Sequence, residues 1–316
     1  MVANDMNTAL DTATEPADTL DEYICREEMQ QALQRSDVRA WAMTFFNFTV
    51  MGVAFALPAI WFNPLTFVLS AFLLGGRQLG MAVLYHDCSH WALFKTRPMN
   101  EFMGKWVYGG LMNTSLKAYR DYHMGHHRYA GTEDDPDIGL ARTYPATRDS
   151  MRRKMIRDFT GQTGFKDVKR QLSRFGMRRN AAFLVSHSIL LALLLLGGIG
   201  WAYLMWWVGY IFAYQPIHRI RFMGEHGVVR DLLSADPRDN TSTTLVSWWE
   251  RLFIGPNHVN YHLEHHLKAR VPCYNLPRFH ELLASRGFFT NHDCLSRGYR
   301  EVVRRATLPL ATAPTA

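Results

Sequence analysis

The sequence predicts an all-α integral membrane protein with four transmembrane helices in two hairpins and a site for two metals at their cytoplasmic end. Three observations predict it. Four apolar runs of near-spanning length occur in two pairs, basic residues crowd into the connection between the pairs, and three histidine clusters fall on the same side as that connection. A helix needs roughly 20 mostly apolar residues to cross the hydrocarbon core. Averages hide the pattern: the hydrophobic share of 48% and mean hydropathy of −0.16 are ordinary for a soluble chain.

In chain order, residues 1–38 read as a polar cytosolic segment. The first 35 are acidic and polar and lack a basic stretch followed by an apolar one, so no cleavable signal peptide is expected. A short helix is expected near Leu20–Arg35. Residues 41–62 carry no charge and residues 65–85 only Arg77; Asn63-Pro64 joins them into the first hairpin. Met99–Thr114 is apolar enough to lie in the membrane interface, while Glu101 and Lys105 argue against crossing. The apolar block from Ala181 to Ile217 is too long for one span. Gly197-Gly198-Ile199-Gly200 breaks it into spans at 181–198 and 200–217. The membrane domain is taken as 39–290, with Leu276-Pro277 opening a helix through Leu283. Residues 291–316 form a tail whose end, Thr307–Ala316, is expected to fray.

Charge orients the spans. The connection from Arg120 to Asn180 holds fourteen Arg and Lys residues, and the two short hairpin turns hold none. The positive-inside rule therefore puts both termini and this connection in the cytoplasm. The net charge of +7 and pI near 9.3 suit such a face. No basic-aromatic alternation or nucleic-acid motif accompanies them, so nucleic acid is not an expected partner. The cysteines, Cys25, Cys88, Cys273 and Cys294, form no C-x-x-C pair, which excludes a disulfide framework, a zinc ribbon or a built-in rubredoxin-type site.

The chemistry lies in His86-Asp87-Cys88-Ser89-His90, His123-Met124-Gly125-His126-His127 and His262-Leu263-Glu264-His265-His266. Residues three and four apart share a helix face. Eight imidazoles exceed what one ion uses, so two metals are expected. His226, in Gly224-Glu225-His226-Gly227, is a ninth candidate because it follows the fourth span back to the same side. Cys88 reads as a small packing residue. His258, four before His262, is expected to share its helical face and to support the ligands from outside. His187 and His218 are expected to make polar contacts near span ends, and His280 and His292 to lie at the surface. Asp87, Glu225 and Glu264 stand beside ligands and are placed to orient imidazoles. Imidazole suits iron, zinc, copper and nickel alike, so ligand type alone does not choose the metal.

At these residues the chain resembles the integral-membrane fatty acid desaturases, the histidine-box di-iron proteins. The three clusters match that family's boxes in order and in distance from paired hairpins. Gly255-Pro256-Asn257-His258-Val259-Asn260-Tyr261 and Arg219–Gly227 resemble its acyl-lipid branch. The resemblance spans roughly Trp41 to Leu283. It implies a cytosolic helical cap over two iron ions, ligated by His86, His90, His123, His126, His127, His226, His262, His265 and His266. It also implies oxygen-dependent desaturation of a fatty acyl chain. In the stearoyl-type branch an asparagine stands four residues before the extra histidine; here that position is Phe222. No cytochrome b5 module, ferredoxin pattern or flavin fingerprint occurs within the chain. A separate donor of ferredoxin, rubredoxin or cytochrome b5 type is therefore implied, docking on the basic face.

The boxes do not separate a desaturase from a hydroxylase, a ketolase or an oxidative decarboxylase, since the same oxidant serves all of them. A membrane zinc hydrolase would use His86-Asp87-x-x-His90 as an H-E-x-x-H variant, but Asp87 is shorter than glutamate and six clustered histidines stay unused. A non-catalytic membrane metal carrier would place ionisable residues along its spans, whereas these histidines gather at one end.

Overall fold

The computed structural model describes residues 20–308, and the fold is mainly helical. The expectations for residues 1–19 and 309–316 lie outside the described residues. Arg26–Ala32 forms the short helix expected before the first span. Helix α1 (Asp37–Ile60) starts at Ser36, whose hydroxyl accepts from the Arg39 N–H. Helix α2 (Pro64–Ser89) starts at Asn63, which accepts from the Thr66 N–H, with Pro64 in the first turn. Proline is favoured there because its missing N–H would have no partner in any case. The expected turn at 63–64 is where the first hairpin closes.

Helix α2 is the centre of the molecule. Eighteen of its residues are buried, including Arg77 and Gln78. Neighbours approach it through small residues. A Cβ on Gly75 would sit 2.8 Å from the Ala213 Cβ, and one on Gly209 would sit 2.9 Å from the Leu74 Cβ. Apolar helices pack tightly where backbones come this close.

The Met99–Thr114 region folds as Arg97–Phe102, a π-helical turn at Met103–Tyr108 and Gly109–Met112. Tyr108 is buried and its hydroxyl bonds Thr44 of α1 at 2.6 Å. Helix α3 (Leu116–Tyr129) follows, capped by Ser115. The basic connection contains α4 (Arg148–Phe159) and α5 (Gln162–Ser173).

The second apolar block differs from two regular spans. Helix α6 (Ala181–Leu196) has 16 residues, and His187 within it bonds the Tyr203 hydroxyl at 2.8 Å and the Leu111 carbonyl at 3.1 Å. After Gly197-Gly198 the chain runs through α7 (Tyr203–Val208), a π-turn at Gly209–Tyr214, α8 (Gln215–Phe222) and a second π-turn at Met223–Gly227. Pro216 has no N–H to offer the preceding turn, and a widened turn just before it is the local answer. Helicity thus continues past 217, carrying His226 on the last wide turn.

Helices α9 (Trp248–Phe253), α10 (His262–Leu267) and α11 (Leu276–Ser285) complete the face that bears the histidines. Two parallel strand pairs tie it together: β1 (Ala146–Thr147) with β4 (Thr307–Leu308), and β2 (Thr243–Leu245) with β3 (Leu295–Arg297). Thr307 and Leu308 are therefore paired, not frayed. Helix α12 (Tyr299–Arg305) buries Tyr299 and Val302 in a core shared with Phe222 and Met223.

Among the described residues, two segments are long and apolar enough to cross a membrane, the stretch Arg26–Ile60 containing α1, and α2; α6 is a shorter apolar helix. Large apolar side chains face outward along them: Phe45, Val53, Ile60, Val68, Ile189, Leu193 and Leu196 are all exposed. So wide an exposed apolar face marks an interaction surface, for a membrane or for another protein.

Candidate metal centre

Four segments deliver the histidines to one place. His86 lies in the last turn of α2 and His90 caps it, His123, His126 and His127 line α3, His226 sits on the second π-turn, and His262, His265 and His266 occupy α10. All nine enter two groups. His86, His90, His123, His127 and His265 form one; His126, His226, His262 and His266 form the other. Within each group the candidate ligand atoms lie within 4.8 Å of one another.

Helical pitch explains the division. In each H-x-x-H-H run the first and last histidines, four apart, point into one group, and the middle one points into the other. The groups touch, since the His127 and His266 rings are 4.5 Å apart between centroids.

Hydrogen bonds behind the rings decide which nitrogen faces inward. His126 Nδ1 donates to Asp135 at 2.8 Å, and His226 Nδ1 donates to the Asn240 carbonyl at 3.3 Å. His86 Nδ1 lies 3.2 Å from Asp87, and His262 Nδ1 lies 3.5 Å from Glu225. A carbonyl only accepts, so His226 carries its proton on Nδ1 and aims a bare Nε2 lone pair inward.

Opposed nitrogens then crowd together. The Nε2 atoms of His226 and His262 are 3.0 Å apart, those of His262 and His266 3.2 Å, and those of His266 and His126 3.2 Å. If His126 and His226 both present lone pairs, no arrangement of protons on the middle two rings satisfies all three contacts. A cation among the four resolves the conflict. In the other group, His127 Nε2 lies 3.0 Å from His123 Nε2 and 2.9 Å from His265 Nε2, and His90 Nε2 is buried without a partner. The donor set therefore fits two metal ions.

Electrostatics agree. Burial pushes His90, His123, His127, His262, His265 and His266 well below the ordinary histidine range, and neighbouring imidazoles push the same way. Burial takes His226 down to about 3. Neutral imidazole is the ligating form, so these rings are ready to bind near neutral pH.

Several expectations change. Glu264 turns away from the ligands: its carboxylate accepts from His280 and from the Thr243 hydroxyl. His280 is consequently buried, not a surface residue. His258 does not stack on His262 along a helix, because Asn257 and His258 both adopt positive φ and the chain turns there. Phe222 is buried with its ring 6.0 Å from that of His226, so an apolar ring lies beside this histidine. Asp87 also accepts from the Cys273 N–H at 2.7 Å, locking its angle to His86. Asp135, the partner of His126, was not foreseen. Its only sequence signal is the acidic, proline-broken run Glu133-Asp134-Asp135-Pro136-Asp137 just after the second cluster. Cys88 is fully buried in the core, as a packing residue should be, while His218 and His292 belong to neither histidine group.

The sequence profile of the fatty acid desaturase family matches residues 62–294, which include all nine histidines. Among curated proteins, a β-carotene ketolase of Paracoccus sp. (strain N81106 / MBIC 01143) is 26% identical over 266 residues, 78% of this chain and 95% of the relative. A β-carotene ketolase of Paracoccus sp. (strain PC1) is 28% identical over 221 residues, 68% of this chain and 80% of the relative.

Proposed function

The chain belongs to the fatty acid desaturase family, and we propose that it is a membrane-embedded, oxygen-dependent oxidoreductase that uses two irons to oxidise a C–H bond of a lipid chain. The observation that carries the reading is the gathering of nine histidines into two touching groups. Iron in both groups would supply dioxygen activation and an oxidant strong enough for an unactivated C–H bond. The chain's own residues do the rest. Asp135, Asp87 and the Asn240 carbonyl hold three imidazoles in orientation from behind, and the Glu225 carboxylate, paired with Arg221, lies 3.5 Å behind His262. Phe222 and Tyr119 place aromatic surface beside the His226 and His123 rings, with Tyr85 packed behind Tyr119, and together they limit water.

Introduction of a double bond into a fatty acyl chain is the first reading of the product. A second reading, ketolation of an isoprenoid ring, is favoured by the names of the two Paracoccus relatives. Both outcomes begin by removing a hydrogen; they differ in whether a second hydrogen leaves or oxygen returns to the carbon.

The proposed topology has four spans near 41–62, 65–85, 181–198 and 200–217, within a membrane domain at 39–290. Both termini and the metal centre are cytoplasmic, and a separate electron-transfer protein docks on the basic face. Support comes from the outward apolar side chains of α1, α2 and α6 and from the arginines and lysines between 120 and 180.

The deciding experiment is mass spectrometry of lipids from cells expressing the chain with an electron donor, with and without β-carotene. A product two hydrogens lighter in an acyl chain is expected, absent in His126→Ala and retained in His292→Ala. A keto-carotenoid instead would select the second reading, and full activity in His126→Ala would sink the site.

A further inference from the structure

A second surface lies outside the histidine groups, on the charged helix α5. Phe165, Val168 and Leu172 recur at three and four residues and so form one apolar stripe. Phe165 is 55% exposed and Leu172 66%, while Val168 is half-buried. Lys166 and Lys169 are exposed on the adjoining flank, and Arg170 pairs with Asp167. The pattern continues past the helix: Phe175 and Met177 are exposed among Arg174, Arg178 and Arg179, and α6 begins at Ala181. Large apolar side chains left uncovered among basic ones mark a surface for a partner.

The way α5 is held identifies that partner. Its first cap, Gly161, has φ +79°, and a Cβ there would lie 2.6 Å from a carbon of the Phe212 ring. One on Gly164 would lie 2.5 Å from the Ile211 carbonyl oxygen. The Tyr210 hydroxyl donates to Asp167, and Gln171 donates to that hydroxyl at 2.9 Å. Residues 210–212 of the fourth apolar run therefore carry the helix. Ile211 stands six residues inside the proposed end of that span at 217, roughly 9 Å at helical rise. An interfacial helix sinks its apolar face roughly 5–10 Å into the boundary between headgroups and acyl chains. The stripe also runs into the outer surface of the spans. Phe165 meets Phe212 with ring centroids 5.9 Å apart, and Phe212 shares an apolar groove with the exposed Val68 and Leu204.

We propose that α5 lies in the cytoplasmic headgroup layer of an anionic bilayer, with its stripe on the acyl boundary and Lys166 and Lys169 on lipid phosphates. Lysine stems can follow an apolar face while the ammonium reaches phosphate level, and clustered basic residues at this level favour anionic lipid. This placement rests on the four-span topology and not on the reaction at the metal centre. Arg152, Arg153 and Lys154 belong to α4, a separate helix, and remain for a protein partner.

The test places the iron-loaded full chain in vesicles of equal parts phosphatidylcholine and phosphatidylglycerol. Single fluorophores are attached to Phe165→Cys, Leu172→Cys and Ile189→Cys in a Cys25→Ser background, the other cysteines being buried, and to native Cys25 as the water reference. Quenching by nitroxide-bearing lipid is compared with quenching by iodide in the buffer. Labels at Phe165 and Leu172 should be quenched by the lipid and shielded from iodide relative to Cys25. In phosphatidylcholine alone, or after Lys166→Gln with Lys169→Gln, lipid quenching at Leu172 should fall. Ile189, exposed midway along α6, reports the topology, and its label should meet lipid and no iodide. Iodide quenching at Phe165 and Leu172 with Ile189 shielded would overturn the proposal and leave the topology standing; iodide quenching at Ile189 as well would overturn both. Equal lipid quenching in the two lipid mixtures would overturn the anionic contact. Shielding that appears only with an added acidic donor protein, or is lost when the chain is diluted in lipid, would overturn the proposal by giving the face to that protein or to a second copy.

Discussion

Single bonds behind the imidazoles set how the centre is built. Asp135 fixes His126 through Nδ1, and removing such a partner typically costs ten- to a hundredfold in metal affinity or activity. Asp135→Ala should therefore lose iron and turnover by about that factor, measured by metal analysis of purified protein, and Asp135→Asn should recover part because its amide oxygen still accepts. The same rings predict a pH response. Burial holds His226 near 3 and His262 well below the ordinary range, whereas both titrate near their usual value of about 6.5 once unfolded. The unfolded chain therefore takes up protons first. Metal-free protein should be most stable above about pH 6.5 and lose stability progressively as pH falls toward about 3. Chemical denaturation at several pH values checks the sign: stability that rises on acidification through this window would contradict buried neutral imidazoles. At this scale the sequence was legible in part. Eight of the nine histidines stood out by spacing and His226 by its place after the fourth apolar run, whereas Asp135, His280 and the turned-away Glu264 did not stand out, because hydrogen-bond partners distant along the chain leave no periodic trace.

Among the elements, α2 does most of the positioning. Its first turn closes the hairpin, its glycines admit the Gly209–Tyr214 turn, and its last turn supplies His86 and His90. Gly75→Leu should be destabilising, because even its Cβ would lie 2.8 Å from both the Ala213 Cβ and the Tyr214 backbone nitrogen. Overpacking of this kind costs about 1–3 kcal/mol or more, so thermal unfolding in detergent should shift clearly downward. An unchanged melting temperature would mean that the two elements are not in contact as described. The first hairpin was readable from its uncharged runs and Asn63-Pro64. The second was less so. Hydropathy marks an apolar block, but it does not report that the rod is interrupted by π-turns and continues to Gly227, because turn width follows from Pro216 and from packing.

For the molecule as a whole, charge asymmetry carries the remaining prediction. Arg152, Arg153 and Lys154 lie in α4 within the basic connection. Reversing the three to glutamate should raise the KM for an acidic electron donor and flatten the dependence of turnover on salt, with kcat at saturating donor retained. Steady-state kinetics across ionic strength test this, and an unaltered KM would place donor docking elsewhere. Sequence alone determined that the chain is helical and apolar in paired stretches, that nine histidines in four segments are the candidate ligands, and that its boxes resemble those of one oxidoreductase family. These properties are local, written in spacing and composition. Tertiary structure alone decided which histidine joins which group and which acids stand behind them. Those are relations between residues tens to hundreds apart in sequence, and only the packing of α1, α2, α3 and α10 around one another brings them within bonding distance.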